Sequence, residues 1–185
     1  MVNTDVVSCS KCPDLVENRS RIVNGVGPVD ADIVLVGEAP GENEDKTGEP
    51  FVGKSGSILN SLLEDANLNR EDIRITNTVR CRPPDNRDPT NSECDNCSGY
   101  LINELTIVNP TYIVGLGSTA VRTLTGIDDI SVLAEAGNSY PLDSDRFSLP
   151  EDHMLPEVSV CPHPAGLIYR PSYKENVREL FKTFS

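Results

Sequence analysis

Tryptophan is absent from this chain, histidine and methionine occur twice each, and lysine supplies only five of its sixteen basic residues. With aromatic residues at 5% of 185, a core has to be assembled from Val, Leu and Ile. No stretch reaches the roughly 18 consecutive apolar residues of a membrane-crossing helix, and no charged-then-apolar leader opens the sequence. These absences read as a soluble, cytoplasmic protein with one domain over residues 1–185, long enough to bury its own core. In that compartment thiols stay reduced, so the six cysteines read as metal ligands, catalytic groups or plain packing rather than disulfides.

Positive charge is scarce too: the formal net charge is -13. Such a balance disfavours polyanions, because nucleic-acid affinity rests on neutralising phosphates. It equally suits a halophile, whose high net charge maintains solubility in concentrated salt. A DNA substrate is therefore not excluded.

What is present is a regular alternation. "DIVLVG" (32–37), "IRITN" (73–77), "YIVGLG" (112–117) and "VSVC" (158–161) read as strands. The first and third are nearly continuous apolar runs, as in buried parallel sheets. Helical patterns separate them. "SGSILNSLLEDANL" (55–68) sets Ile58, Leu62 and Ala66 on one stripe. Thr90 with Glu93, and Ser172 with Glu175, each give a capping-box signal. A short helix runs from Ser118 toward Gly126, and the Pro-, Asp- and Ser-rich stretch 127–157 suggests a hairpin plus a surface loop that holds His153. This order predicts an α/β fold, a three-layer αβα sandwich on a mostly parallel four-stranded sheet.

In such sheets ligands bind outside the carboxyl ends of the strands. Those ends lead into "EAPGENED" (38–45), Asn77, "GSTA" (117–120) and "PHPAG" (162–166), with Phe51 nearby. Each feature has a plainer reading: a solvated acidic loop, a core plug at Phe51, a structural histidine at 163. Gly48, Gly53, Lys54 and Ser55 match a phosphate-binding loop only by accident, since no strand immediately precedes them.

The cysteines form two CxxC pairs, Cys9/Cys12 and Cys94/Cys97, with Cys81 between. A zinc ribbon spaces its pairs by about 15–20 residues; here 81 residues separate Cys12 from Cys94. The grouping favours a tetrathiolate site over metal-free thiols and leaves zinc and iron–sulfur both open. Arg80, Arg82 and Arg87 flank Cys81, and Arg170 and Lys174 follow the His163 loop, where a polyanion would need them.

Together "GEAPGENED", "GEPFVGKSG", "TNTVRCRPPDNRDPT" and "HPAG" resemble, in order and spacing, the family-four uracil-DNA glycosylases, from Cys9 to about Lys174. The resemblance implies a 4Fe–4S cluster on Cys9, Cys12, Cys81 and Cys97, with no counterpart for Cys94 or Cys161. It implies a uracil pocket lined by Glu38 and Ala39, with Phe51 stacking on the base, Asn77 reading its polar edge and His163 facing O2. Glu38 and Glu44 become the candidates for placing the catalytic water, because Ala39 stands where other branches hold an aspartate. Gly166 and Tyr169 depart from the aliphatic residues usual in the loop that meets the minor groove.

Uracil-containing single- or double-stranded DNA is then the expected partner, held by Arg80, Arg82, Arg87 and Arg170; a replication clamp is a further candidate, and a monomer the expected state. A non-hydrolysing uracil-DNA trap is disfavoured, because "TVRCRPPDNRDPT" lacks the His-containing insertion of that branch. An iron–sulfur electron carrier would not explain Asn77, Phe51 and His163 meeting at one sheet edge.

Overall fold

A computed structural model of the chain describes residues 4–143, 145–147 and 156–184. The apolar run at 32–37 becomes strand β1 (Ile33–Gly37), buried along its whole length. Successive side chains of a strand point to opposite faces, and both faces here are covered. Ile33 and Leu35 join one apolar cluster, Val34 and Val36 the other. That two-sided burial is why the run is continuous rather than alternating.

Strand β2 (Arg74–Asn77), β3 (Tyr112–Leu116), β4 (Ser139–Tyr140) and β5 (Val158–Cys161) complete a sheet of order β2-β1-β3-β5-β4. The β1–β2, β1–β3 and β3–β5 pairs are parallel. Among the described residues the sheet thus has five strands where the sequence predicts four. The extra one is a two-residue edge strand, antiparallel to β5; the partner of this single strand lies beyond the 127–157 stretch expected to hold the hairpin. Two residues are too few to leave a periodicity in the sequence. His153 lies outside the described residues.

Helices cover both faces. On one side lie α3 (Lys54–Asp65) and α7 (Lys174–Lys182), following the short α1 (Pro13–Asn18) and α2 (Glu42–Thr47) in the chain order; on the other lie α4 (Asn91–Val108) and α5 (Ser118–Thr125). A four-residue helix, α6 (Gly166–Tyr169), follows β5. Leu59, Leu62 and Leu63 of α3 meet Val177, Leu180 and Phe181 of α7 beneath β1, β2 and β3. Leu101, Leu105, Ala120 and Leu124 fill the opposite layer. Each fully buried leucine, valine or phenylalanine side chain here contributes roughly 1.5–3 kcal/mol.

The stripe on α3 is rotated slightly from the expected one: Leu59 and Leu63 are buried beside Leu62, and Ile58 sits at the margin. The capping box at Thr90 forms on both sides, with the Glu93 backbone N–H donating to the Thr90 hydroxyl and the Thr90 N–H to the Glu93 carboxylate. The second one does not. Residues Pro171–Tyr173 make a separate 3-10 turn, so α7 starts at Lys174 with Tyr173 before it and no side-chain cap. Among the described residues no helix is long and apolar enough to cross a membrane.

Candidate active site

Register decides what meets at the sheet's carboxyl edge. Gly37 pairs with Asn77, Val36 with Gly115 and Leu116 with Cys161. The residues that follow therefore emerge side by side. The chain steps from β1 to β2 on one flank and then to β3 on the other, which opens a crevice at the end of β1. A cavity of ≈ 180 Å³ lies there. Glu38, Ala39, Phe51, Asn77 and His163, the five residues expected to hold a base, all line it with Glu44. Gly41 and Ser55 complete the wall; the sequence offers no pocket role of its own for Gly41, and Ser55 stands out only as part of the accidental phosphate-loop match.

Phe51 reaches the cavity from a tense loop. Its φ is 56°, a left-handed value that a bulky residue rarely adopts. Surrounding contacts hold it. Arg70 donates to the carbonyls of Pro50 (2.9 Å) and Phe51 (3.2 Å). Glu44 Oε1 accepts from the N–H groups of Val52 and Gly53, each at 3.2 Å. Gly56 admits the Phe51 carbonyl so closely that a Cβ there would lie 1.9 Å from its oxygen. The Phe51 ring stacks on the His163 ring, with centroids 5.8 Å apart and planes at 30°.

Asn77 is buried at the end of β2. A Cβ on its neighbour Gly37 would fall 2.4 Å from Asn77 Oδ1 and 2.6 Å from Phe51 Cε2. Glycine at 37 is what lets the amide and the ring share one pocket.

His163 has a defined tautomer. The backbone N–H of Ala165 donates to its Nδ1 at 3.2 Å. In the neutral ring the proton must then sit on Nε2, leaving Nε2–H as a donor. Burial pushes the His163 pKa down, and Glu44 opposes that only in part, so the neutral form is favoured.

Two carboxylates differ in their commitments. Glu44 spends Oε1 on the Phe51 loop. Glu38 accepts from the Thr119 hydroxyl through Oε2 at 2.6 Å. Burial raises its pKa, the Thr119 hydroxyl opposes that, Asp88 adds to it and Arg122 opposes it.

The cysteines sort into two sets. Cys9, Cys12, Cys81 and Cys97 line one small cavity with Leu15, Val79 and Tyr100, and Cys94 does not. Each of the four has a donor at its sulfur. Arg19 reaches Cys81 Sγ at 2.9 Å and Asn96 reaches Cys12 Sγ at 3.5 Å. The backbone N–H of Arg80 serves Cys97; that of Lys11 and the Tyr100 hydroxyl serve Cys9.

Burial pushes the Cys97 thiol up to about 11 and raises Cys81. For Cys9 burial also pushes up, but these donors and the charges of Lys11 and Arg19 outweigh it and the pKa falls. Such N–H and O–H donors suit thiolate sulfurs bound to iron. Among the described residues no His, Cys, Asp or Glu side chains gather three at a time as a single-ion site. A zinc ion draws four ligands to one point, whereas a four-iron cluster gives each thiolate its own iron. Four thiols with donors at their sulfurs around one cavity form a donor set that suits such a cluster. Cys94 faces α5, where its thiol, raised by burial, meets the Thr123 hydroxyl. Cys161 is fully buried at the end of β5, its thiol pushed up to about 12.

One basic residue is not where the sequence suggests. Arg80, expected on the DNA face, is 1% exposed and pairs with Glu104 at 2.6 Å. Arg74 binds the other Glu104 oxygen at 2.7 Å. The charged helix residue opposite, invisible from the neighbourhood of Cys81, turns Arg80 inward. Arg82 bonds Asn86, Arg87 pairs with Glu93, and Arg170 is exposed beside Ile168 and Tyr169. Tyr169 is 84% exposed.

The sequence model of the uracil DNA glycosylase superfamily matches residues 24–184, which hold the sheet and every residue lining the cavity at its carboxyl edge. Within that superfamily the chain is similar to the type-4 uracil-DNA glycosylase of Archaeoglobus fulgidus, 39% identical over 96% of this chain and 87% of the relative. It is similar also to those of Thermotoga maritima (45% over 77% and 73%) and Sulfurisphaera tokodaii (38% over 98% and 80%). The chain belongs to the type-4 uracil-DNA glycosylases.

Proposed function

We propose that this protein flips uracil from single- or double-stranded DNA into the Glu38–Phe51–Asn77–His163 pocket and hydrolyses its N-glycosidic bond, leaving an abasic site. The observation that carries the reading is the convergence of an aromatic face, a buried amide and a neutral histidine donor on one cavity. An enzyme acting on a base takes it out of the stack and holds it between aromatic and polar groups. Phe51 supplies the face. The Asn77 amide offers a donor for uracil O4 and an acceptor for N3–H.

The C1′–N1 bond breaks with its electron pair left on uracil. His163 Nε2–H donates to O2, where the negative charge gathers, in the manner of an oxyanion hole. Water adds to C1′ of the cationic sugar and passes a proton to Glu38, and the uracil anion is protonated on release. A base whose pKa is raised by burial suits that step. Glu44 contributes by fixing the Phe51 loop and by lining the pocket.

Cys9, Cys12, Cys81 and Cys97 hold the 4Fe–4S cluster in this reading, supported by their shared cavity and sulfur donors. When bound, the cluster cross-links the N-terminal segment to the loop after β2 and to α4. Arg82, Arg87 and Arg170 meet DNA phosphates, and exposed Ile168 and Tyr169 lie against the groove.

The test is incubation with a single-stranded oligonucleotide carrying one uracil. Free uracil and an alkali-labile strand are expected. An unaltered strand, or a strand held in a stable complex without base release, contradicts the proposal.

A further inference from the structure

The segment "GSTA" after β3 ends at the candidate pocket without lining it. Gly117 turns the chain with φ 97° and lies against His163, where a Cβ would be 3.1 Å from the His163 Cβ. Two residues on, Thr119 sits in the first turn of α5 and is 3% exposed. A hydroxyl buried this deeply needs a partner, and it has one: Glu38 Oε2 at 2.6 Å. That length belongs to a charge-assisted bond to a carboxylate. Glu38 follows β1 and Thr119 follows β3, so the bond spans the crevice between adjacent strands. Among the described residues no hydrogen bond uses Glu38 Oε1.

We propose that Thr119 is a positioning residue for the excision reaction: its hydroxyl pins Oε2 of Glu38 and leaves Oε1 free toward the pocket to orient the attacking water. This rests on the reading of Glu38 as the group that receives the water's proton. The bond ties this half-buried side chain to α5 and so fixes its place on the cavity wall. It also holds the carboxylate in its working, ionised form.

The surroundings otherwise work against ionisation. Burial raises the Glu38 pKa, and the Asp88 carboxylate adds to it; the Thr119 hydroxyl is the largest opposing influence and Arg122 the next. Glu44 and His163 line the same cavity. Deleting the hydroxyl removes stabilisation from the charged form only, so the Glu38 pKa rises further. Activity is then lost from the acid side, and the acid limb of the pH–rate profile moves to higher pH.

The experiment compares wild type, Thr119→Val, Thr119→Ser and Glu38→Gln in single-turnover excision across pH, on one single-stranded uracil oligonucleotide. Thr119→Val should lower the rate about ten- to a hundredfold, the equivalent of one hydrogen bond to a charged group. Its acid limb should lie higher and its affinity for the oligonucleotide should be unchanged. Thr119→Ser should restore rate and profile together. If Thr119→Val does not fold, Thr119→Ala carries the same comparison. A slow Glu38→Gln beside a Thr119 variant with wild-type rate and profile overturns the positioning role and leaves Glu38 standing. A Glu38→Gln variant of wild-type rate overturns the reading of Glu38, and the role of Thr119 with it.

Discussion

Replacing His163 by alanine removes a single hydrogen bond whose direction is fixed by the backbone. Ala165 N–H occupies Nδ1, so the imidazole can offer the base only Nε2–H. Loss of one such donor to a developing anion costs about 10²–10³ in rate, or about 2.7–4 kcal/mol. The donor acts on charge that appears only as the bond breaks, so the loss should fall on the single-turnover rate and little on DNA affinity. Alanine also strips Phe51 of the ring it stacks on at 5.8 Å. His163→Gln, which keeps a donor and some bulk, should therefore recover part of the rate. The assay is uracil release with enzyme in excess over oligonucleotide. An His163→Ala rate within about threefold of wild type would refute the donor argument.

Acidity offers a check on the same residue. Burial holds the folded pKa of His163 below 6.5, so the unfolded chain takes up this proton first as pH falls. Its contribution to stability is intact above about pH 6.5 and is lost as pH falls from there through the depressed folded value. The wild type should lose melting temperature across that window more steeply than His163→Ala does.

Three further outcomes follow from the packing and the charge. Glu104→Ala strands Arg74 and Arg80 in the interior; breaking a buried pair costs about 3–5 kcal/mol, and at about 2–4 °C per kcal/mol calorimetry should show a melting temperature lower by roughly 6–20 °C. A fall equivalent to less than about 1 kcal/mol refutes the network's importance. Cys94→Ala should keep about four irons per chain and its visible absorbance, whereas Cys97→Ala should lose both; iron analysis giving the reverse overturns the ligand set. If the net charge of -13 is a salt adaptation, excision should persist in molar KCl, and sharp loss there argues for ordinary phosphate-driven binding.

The strands and the site were legible for a shared reason. A strand buried on both faces leaves a continuous apolar run, and its carboxyl end marks where functional groups emerge. Asn77 and His163 follow strands and are gathered by that rule; Phe51, which lies beyond α2, is reached only through the motif it shares with the family. The Thr90–Glu93 cap was equally readable, because a local pair of residues makes it. What depends on a distant partner was not. Arg80 beside Cys81 looks like a surface cation until Glu104, 24 residues on, is found facing it. Ser172 carries a cap signal that the 3-10 turn from Pro171 pre-empts. Strand β4 is too short to show a period, and Thr119 joins the pocket only through a bond to Glu38 from another strand's end. Cys94 has the spacing from Cys97 of a ligand pair and packs beside Cys81 and Cys97, yet its thiol meets Thr123 and does not line the cavity the other four share, a difference that spacing does not carry.

The central claim is that this pocket reads uracil through Asn77 and releases it. Single-turnover excision by wild type and Asn77→Ala, on matched strands carrying uracil or cytosine at one position, tests it most directly. The wild type should release uracil and leave the cytosine strand intact, and Asn77→Ala should lose at least about a hundredfold on uracil, from unpaired polar edges left in a buried site. An Asn77→Ala variant that still releases uracil at the wild-type rate would contradict it.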